Sequence, residues 1–118
     1  NPGLFSFTSE SVHDGGLALR FRGRLDMNTV LAFRDAVFTA IGERPAWLLI
    51  DLTRVTQIEP TGIGNLVTAA RVAGLTQLPV HFAVPSDLAG MFRDTGLDRL
   101  LSAPPVSGHE IARKLLAQ

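Results

Sequence analysis

The residues best suited to chemistry lie in one short segment, Ile58 to Gly64, which reads Ile-Glu-Pro-Thr-Gly-Ile-Gly. Pro60 favours the first turn of a helix, because its missing N–H would have no hydrogen-bond partner there. Thr61 then stands at or beside the helix N-terminus. Unpaired backbone N–H groups and the helix dipole at that point favour a negative group, such as a phosphate on the Thr61 hydroxyl. From these physical arguments alone, a plain helix cap is the favoured role for Thr61, and a phosphate acceptor is the alternative.

Three acidic residues follow predicted strands or precede this helix: Asp26, Asp51 and Glu59. Loops that leave the C-terminal ends of neighbouring strands converge in an α/β sheet, so these acids could gather with Thr61 on one rim. A divalent-metal or phosphoryl-transfer site is conceivable there, but acids at the ends of elements are commonly caps and solvated turn residues. We therefore expect no metal site, no cofactor and no catalytic residue.

Other residues that often carry chemistry show no matching pattern. The three histidines, His13, His81 and His109, have neither metal-ligand spacing nor a serine or carboxylate pattern that would make one a catalytic base. Gly62 and Gly64 lack both the third glycine of a dinucleotide motif and the lysine that follows a phosphate loop, so close packing is their expected role. The chain has no cysteine, which excludes disulfides, thiol catalysis and cysteine-ligated metals.

The composition predicts a single domain over residues 1–118. Hydrophobic residues make up 46% of the chain, but no run approaches the ~18 apolar residues of a membrane span. Eleven basic residues balance eleven acidic ones, so no global positive charge favours binding to nucleic acid or to a membrane surface. We expect a cytoplasmic protein without membrane insertion and without direct contact to nucleic acid.

The N-terminal part of the chain predicts an antiparallel hairpin over residues 4–23. Its turn, His-Asp-Gly-Gly at residues 13–16, contains residues that accept a positive φ. Apolar residues at positions 17, 19 and 21 follow in alternation with other residues. We therefore expect Arg20 and Arg22 to face solvent.

After the hairpin, predicted helices and strands alternate. We expect a first helix over residues 29–41, capped by Asp26 or Asn28, and then a buried strand over 46–52. A second helix follows from Pro60 to about residue 73, then a strand over 79–84 and a third helix over 86–95 that is capped by Ser86. The chain continues with a short strand or turn over 97–101 and a C-terminal helix after a capping box at 107–110. This order predicts an α/β fold with a mixed, mostly parallel β-sheet, an N-terminal antiparallel hairpin and about four helices.

Residues on two predicted helices are candidates for contact with a partner protein. Leu31 and Phe38 lie off the apolar stripe of the first predicted helix; we expect them to be buried, with contact to a partner as the alternative. On the next helix the small residues Gly64, Thr68 and Ala69 leave a shallow outer surface that another protein could approach closely.

Three segments together resemble the STAS domain family, in particular the bacterial anti-sigma factor antagonists: Gly23-Arg24-Leu25-Asp26, Leu49-Ile50-Asp51-Leu52-Thr53 and Ile58-Glu59-Pro60-Thr61-Gly62-Ile63-Gly64. The resemblance covers nearly the whole chain in order and spacing. It implies the fold inferred above and a partner that is both an anti-sigma factor and a serine/threonine kinase. It also implies that this kinase switches the protein off by phosphorylating the hydroxyl that precedes the motif glycine, which here is Thr61.

The family motif reads Asp-Ser-Ser-Gly or Asp-Ser-Thr-Gly, so Glu59 and Pro60 stand where the family has aspartate and serine. Asp26 matches the acid of the family's Gly-x-Leu-Asp segment. The resemblance thus implies a partner-binding surface on the rim and on the outer face of the second helix, and its residues are Asp26, Asn28, Glu59, Pro60, Thr61, Gly62, Gly64, Asn65 and Thr68. A phosphate on Thr61 would add about two negative charges and repel an acidic partner surface.

Two other classes remain open. A phosphoacceptor receiver domain would place Asp51 at the end of a buried strand, but receivers need an acidic pair after the first strand and a lysine after the last, and the only lysine here is Lys114 in the last predicted helix. The second class is a STAS scaffold or ligand-binding module of a transporter, a lipid-transport complex or a stressosome-like assembly, in which Thr61 is never phosphorylated. Glu59 and Pro60 favour this second class.

Overall fold

The computed structural model describes residues 4–94, where strands and helices alternate as predicted. The elements are β1 (Ser6–Val12), β2 (Gly16–Leu25), α1 (Val30–Gly42), β3 (Trp47–Ile58), α2 (Pro60–Leu75), β4 (Val80–Ala83) and α3 (Ala89–Asp94), with short 3-10 turns at His13–Gly15 and Ser86–Leu88. The predicted strand over 97–101 and the predicted C-terminal helix lie outside the described residues.

The four strands form one sheet in the order β1-β2-β3-β4. β1 runs antiparallel to β2, whereas β3 is parallel to both β2 and β4. Asp14 and Gly15 in the hairpin turn have φ angles of 58° and 75°, the left-handed conformation that the turn residues predict. The mixed, mostly parallel sheet with an N-terminal hairpin is therefore confirmed.

The main core lies between one face of the sheet and the three helices. Phe21 from β2 and Phe33 from α1 meet there with ring centroids 4.8 Å apart. We call the opposite face of the sheet the second face; it buries a smaller cluster, formed by Ala18, Leu49 and Ala83. β3 is thus covered on both faces over its first half, as its continuous apolar run predicts.

β3 differs from the prediction in length, because it continues to Ile58 instead of ending near residue 52. In its second half the buried residues are Leu52, Val55 and Ile58, which are three apart. Register shifts against β2 accompany this spacing. A strand with such irregularities does not alternate strictly between its faces, so the period-two rule missed it.

The longer strand also changes the position of Asp51, which lies in the middle of β3 and is only 6% exposed. Arg20 donates a hydrogen bond from Nη1 to Asp51 Oδ2 over 2.9 Å, and its Nε lies 3.6 Å from Glu10 Oε2. The expectation that Arg20 faces solvent is therefore wrong in part, since its guanidinium neutralises a buried carboxylate. Arg22 is exposed, as predicted.

α1 begins within one residue of the prediction, with Thr29 at its N-cap position. The burial expected for Leu31 is wrong, because this side chain is 66% exposed. Phe38 is partly buried against the core, and the guanidinium carbon of Arg34 lies 5.6 Å from its ring centroid.

The third predicted helix begins three residues later than expected. Ser86 does not cap it but begins a 3-10 turn after Pro85, and α3 itself begins at Ala89. Leu88 and Phe92 are buried, as the apolar pattern predicts. Of the helices between residues 4 and 94, none has the length and apolar character needed to cross a membrane.

Candidate partner-binding rim

The first turn of α2 presents Thr61 to solvent. Glu59 occupies the N-cap position with extended backbone angles and makes no capping hydrogen bond through its side chain, while Pro60 is the first helical residue. Thr61 therefore lies inside the first turn, and the capping role considered for it is wrong. None of the hydrogen bonds found among residues 4–94 involves the Thr61 hydroxyl, so this exposed group is open to modification.

The start of α2 is held tightly against the end of β2. The backbone N–H of Glu59 donates to the carbonyl of Leu25 over 2.9 Å. A Cβ atom placed on Gly62 would lie 2.8 Å from Leu25 Cγ and 3.1 Å from Ile58 Cγ2, which is too close for any side chain at this position without a shift of its neighbours. Gly62 thus has the close-packing role predicted from the sequence. The same prediction is wrong for Gly64, because a Cβ placed there would meet nothing within 4 Å.

The loop before α1 forms the other side of the rim and is ordered by its own hydrogen bonds. Asp26 Oδ1 accepts from the N–H of Asn28 over 2.9 Å, and the N–H of Asp26 donates to Thr29 Oγ1 over 3.0 Å. Thr29 Oγ1 also donates to the carbonyl of Arg24 over 2.8 Å. The Asp26 carboxylate therefore stabilises the turn before α1. The helix caps predicted at Asp26 or Asn28 are wrong, because Thr29 occupies the N-cap position, and Asn28 is exposed.

The outer face of α2 is built from small polar residues. Gly64 and Thr68 are exposed, and Asn65 is half-buried with its Nδ2 donating to the carbonyl of Thr61 over 2.9 Å. Ala69 is buried, so its predicted place on the outer surface is wrong. The remaining residues form a shallow surface continuous with Thr61.

We call the two segments over residues 24–29 and 56–65 the rim; they comprise the ends of β2 and β3, the turn before α1 and the start of α2. It brings together most of the residues that the sequence singled out, because β2 and β3 end side by side with Leu25 paired to Ile58. Asp26 directly follows Leu25 at the end of β2, and Glu59 directly follows Ile58 at the end of β3. Gly62 also lies there, but it is buried and contributes through packing.

Asp51 does not join the rim, contrary to the gathering of acids considered from the sequence. It precedes Ile58 in β3 by seven residues, which at strand spacing is about 20 Å. Its carboxylate is already used, since Oδ1 accepts from the N–H and the hydroxyl of Thr53 over 2.9 and 2.6 Å. Within residues 4–94 no group of three histidine or acidic side chains is arranged to hold a metal ion.

Two exposed apolar residues, one in the rim and one beside it, were not expected from the sequence to lie on the surface. Met27 is 72% exposed in the loop before α1, and Leu31 is 66% exposed in the first turn of that helix. For Met27 a signal exists, because it stands between two polar residues, Asp26 and Asn28, in a loop. For Leu31 the helical spacing favours a wider buried face on the first helix, so it predicts burial of a side chain that is exposed.

Comparison with protein families matches residues 8–102 to the family described as "Mlab, STAS domain". Comparison with the curated proteins gives no match.

Solved structures with the same fold include several anti-sigma factor antagonists. The anti-sigma factor antagonist from Mycobacterium paratuberculosis has a TM-score of 0.81 at 22% sequence identity, over 100% of this chain and 98% of that chain. The phosphorylated form of the Bacillus cell fate determinant SpoIIAA has a TM-score of 0.72 at 20% identity, over 93% of this chain and 99% of that one. The anti-sigma factor antagonist SpoIIAA in its unphosphorylated form has a TM-score of 0.75 at 19% identity, over 96% and 98% of the two chains.

At these identities the similarity to solved structures shows a shared fold. The family match shows more than a shared fold, because the matched residues are most of the 118 residues and include the rim. The mixed sheet, the hairpin and the helix that begins at Pro60 agree with it. The chain belongs to the STAS domain family.

Proposed function

We propose that this protein is an anti-sigma factor antagonist. In this proposal it binds, in the cytoplasm, a protein that is both an anti-sigma factor and a serine/threonine kinase, and so releases a sigma factor for transcription. Phosphorylation of Thr61 by the same partner ends the binding. The observation that carries the proposal is the exposed, unbonded Thr61 hydroxyl in the first turn of α2, on a rim that is otherwise fixed by hydrogen bonds and packing.

The docking surface proposed for the partner is the rim together with the outer face of α2. It presents Asp26, Asn28, Glu59, Pro60, Thr61, Gly64, Asn65 and Thr68, with Gly62 packed beneath. Met27 within the rim and Leu31 beside it add exposed apolar area. A polar surface with a few apolar side chains is typical of interfaces that form and dissociate.

The proposed switch is electrostatic. Glu59 already places one carboxylate at the N-cap of α2, two residues before Thr61. A phosphate on Thr61 would add about two more negative charges to the same turn. The free N–H groups of the helix N-terminus stabilise the phosphate within the protein, but an acidic partner surface is then repelled and the phosphate must lose water on docking.

Phosphorylation itself is tested by intact-mass measurement. The protein is incubated with ATP and, one at a time, with the anti-sigma factor/kinase proteins encoded in the native cell. We expect one added phosphate with one of these kinases, its loss in Thr61→Ala, and its retention in Thr68→Ala, which removes a hydroxyl from the same helix. A phosphate that persists in Thr61→Ala, or no phosphate with any of the kinases, would contradict the proposed switch.

A second candidate function is that of a constitutive STAS module in a transporter, a lipid-transport complex or a stressosome-like assembly. Two observations favour it: the matching family carries the description Mlab, and Glu59 and Pro60 precede Thr61 where the anti-sigma motif has aspartate and serine. In this case Thr61→Glu and Thr61→Ala bind the native partner equally. The anti-sigma proposal requires Thr61→Glu to bind more weakly.

A further inference from the structure

Two arginines lie side by side on the second face of the sheet. Arg22 in β2 and Arg54 in β3 are direct register partners in the parallel pair, and both are exposed. Neighbouring strands are about 4.8 Å apart, so the stems of these two side chains run next to each other. Like charges directly opposite one another destabilise a sheet, which makes the pair costly unless something binds to it.

The contrast with Arg20, two residues earlier in β2, shows that this pair is not neutralised. Arg20 has Asp51 at 2.9 Å and Glu10 at 3.6 Å. Neither Arg22 nor Arg54 has a carboxylate within 4.0 Å among residues 4–94. The same face of the sheet therefore carries one compensated arginine and, farther along the strands, two uncompensated ones.

The backbone at this point is irregular and depends on a glycine. Register shifts lie on both sides of Arg22 and Gly23, and Gly23 has a φ of +95°. A Cβ on Gly23 would lie 2.6 Å from the carbonyl oxygen of Leu4, so no other residue fits there. Such irregularities re-aim side chains and are common beside functional sites.

After this irregularity Arg24 is also exposed, paired with Gln57 across the strands. Its Nε lies 4.0 Å from Asp26 Oδ2, a loose ion pair that leaves most of the guanidinium free. We call Arg22, Arg24 and Arg54 the arginine ladder.

We propose that the arginine ladder binds a carboxylate-rich segment of a protein partner. Guanidinium groups bind carboxylates through two parallel hydrogen bonds, and adjacent arginines can hold successive acidic side chains of one segment. Ser6 and Gln57 flank the ladder with exposed hydroxyl and amide groups that suit a polar protein interface. The inference goes beyond the proposed function, because the ladder is on the second face of the sheet and acts without phosphorylation of Thr61.

The charge of the molecule favours a protein partner over nucleic acid or membrane. The formal net charge is zero, whereas nucleic-acid-binding domains are strongly basic and lipid-binding segments cluster about four to eight basic residues. The ladder has three arginines, and their register partners in the described strands outside the ladder, Ser6 and Gln57, offer no aromatic ring on which a base could stack. A short acidic segment matches this number of charges.

The test compares two double variants that lose the same charge. Arg22→Gln/Arg54→Gln removes the ladder pair, and Arg71→Gln/Arg93→Gln removes two exposed arginines from α2 and α3. The probe is a fluorescein-labelled oligoglutamate peptide, followed by anisotropy at low salt. We expect the ladder variant to lose about tenfold in affinity, the order expected for two charge-assisted contacts at an exposed site, and the control to lose less than about twofold.

Three outcomes of this experiment would overturn the proposal. They are no binding of the peptide by the unaltered protein, equal losses in the two double variants, and tighter binding of phosphatidylglycerol vesicles or duplex DNA than of the peptide. Thermal unfolding provides the second measurement, because removal of the like-charged pair should leave the fold intact and raise Tm. A Tm below that of the unaltered protein would contradict the repulsion from which the proposal starts.

Discussion

At the scale of single residues, Gly62 and Gly64 differ although both lie in the first turns of α2. A Cβ on Gly62 would meet Leu25 and Ile58, whereas one on Gly64 would meet nothing within 4 Å. The first glycine is needed for packing, and the second leaves a shallow place on the surface. The same residue type in one motif thus has two separate roles.

Alanine substitutions should separate these roles. Gly62→Ala should lower the free energy of unfolding by about 1–3 kcal/mol, because its methyl group overpacks the contact with Leu25. Gly64→Ala should raise it by about 0.5–1 kcal/mol, because alanine is the better helix former and has free space. Urea denaturation measures both, and a loss of stability in Gly64→Ala would contradict the open surface described for it.

Besides Asp14 in the hairpin turn, two residues other than glycine in the described part of the chain have a left-handed backbone, a conformation that normally favours glycine. Arg44 and Gln77 follow α1 and α2 with φ angles of 54° and 60°. This conformation is typical of the residue just past a helix end.

Glycine at either position should therefore stabilise the protein. Arg44→Gly and Gln77→Gly should each raise the free energy of unfolding by about 0.5–1 kcal/mol, since relief of the left-handed strain outweighs the added freedom of the unfolded chain. Glu43→Gly is the matched control, because Glu43 has an ordinary φ of −75° and should be destabilised. Equal effects at positions 43 and 44 in thermal unfolding would show that strain is not the cause.

At the scale of elements, the pairing of β2 with β3 contains the one buried acid among the described residues. Asp51 accepts hydrogen bonds from Arg20 and from Thr53, so its carboxylate links the two strands on the second face of the sheet. Glu10 on β1 lies at the exposed end of the same group. The buried and the exposed carboxylates should differ in their contribution to stability.

Asp51→Ala should lower the free energy of unfolding by about 2–3 kcal/mol, because it leaves Arg20 and the backbone N–H of Thr53 without their acceptor. Glu10→Ala should cost less than about 0.5 kcal/mol, since that pair is long and solvated. Chemical denaturation of the two variants tests the difference. Equal costs would mean that the ion pair in the sheet does not stabilise the strand pairing.

The elements also show what the sequence can predict. The hairpin turn and the start of α2 were predicted from local chemistry, since Asp14-Gly15 and Pro60 each favour one backbone geometry. The second half of β3 was missed because its register shifts break the alternation of its residues, and Asp51 was misplaced with it. The rim was predicted through the family resemblance, whereas the exposure of Leu31 depends on tertiary packing that helical spacing does not encode.

At the scale of the whole molecule, pH should affect stability through a half-buried histidine. Burial lowers the pKa of His81 from its usual 6.5, because desolvation disfavours the charged imidazolium in β4. The unfolded chain therefore takes up a proton as the pH falls through 6.5, while the folded chain does so only at lower pH. The free energy of unfolding should then decrease as the pH falls below that value.

His81→Phe should reduce this loss, because phenylalanine cannot take up the proton. The measurement is the decrease in Tm between about pH 7.5 and about pH 5.5, where an unperturbed histidine titrates. His13→Gln is the control, since His13 is exposed in the hairpin turn. The same decrease in His81→Phe as in the unaltered protein would exclude His81 as its source.

The affinity of the anti-sigma factor/kinase for the protein, before and after phosphorylation, depends on the rim, the switch and the partner together. We expect tight binding of the unmodified protein and a loss of at least about tenfold, or about 1.4 kcal/mol, when Thr61 carries a phosphate. Thr61→Ala treated with kinase and ATP should keep the affinity of the unmodified protein. Isothermal titration with each form measures this directly, and equal affinities for the phosphorylated and unphosphorylated proteins would contradict the proposed switch.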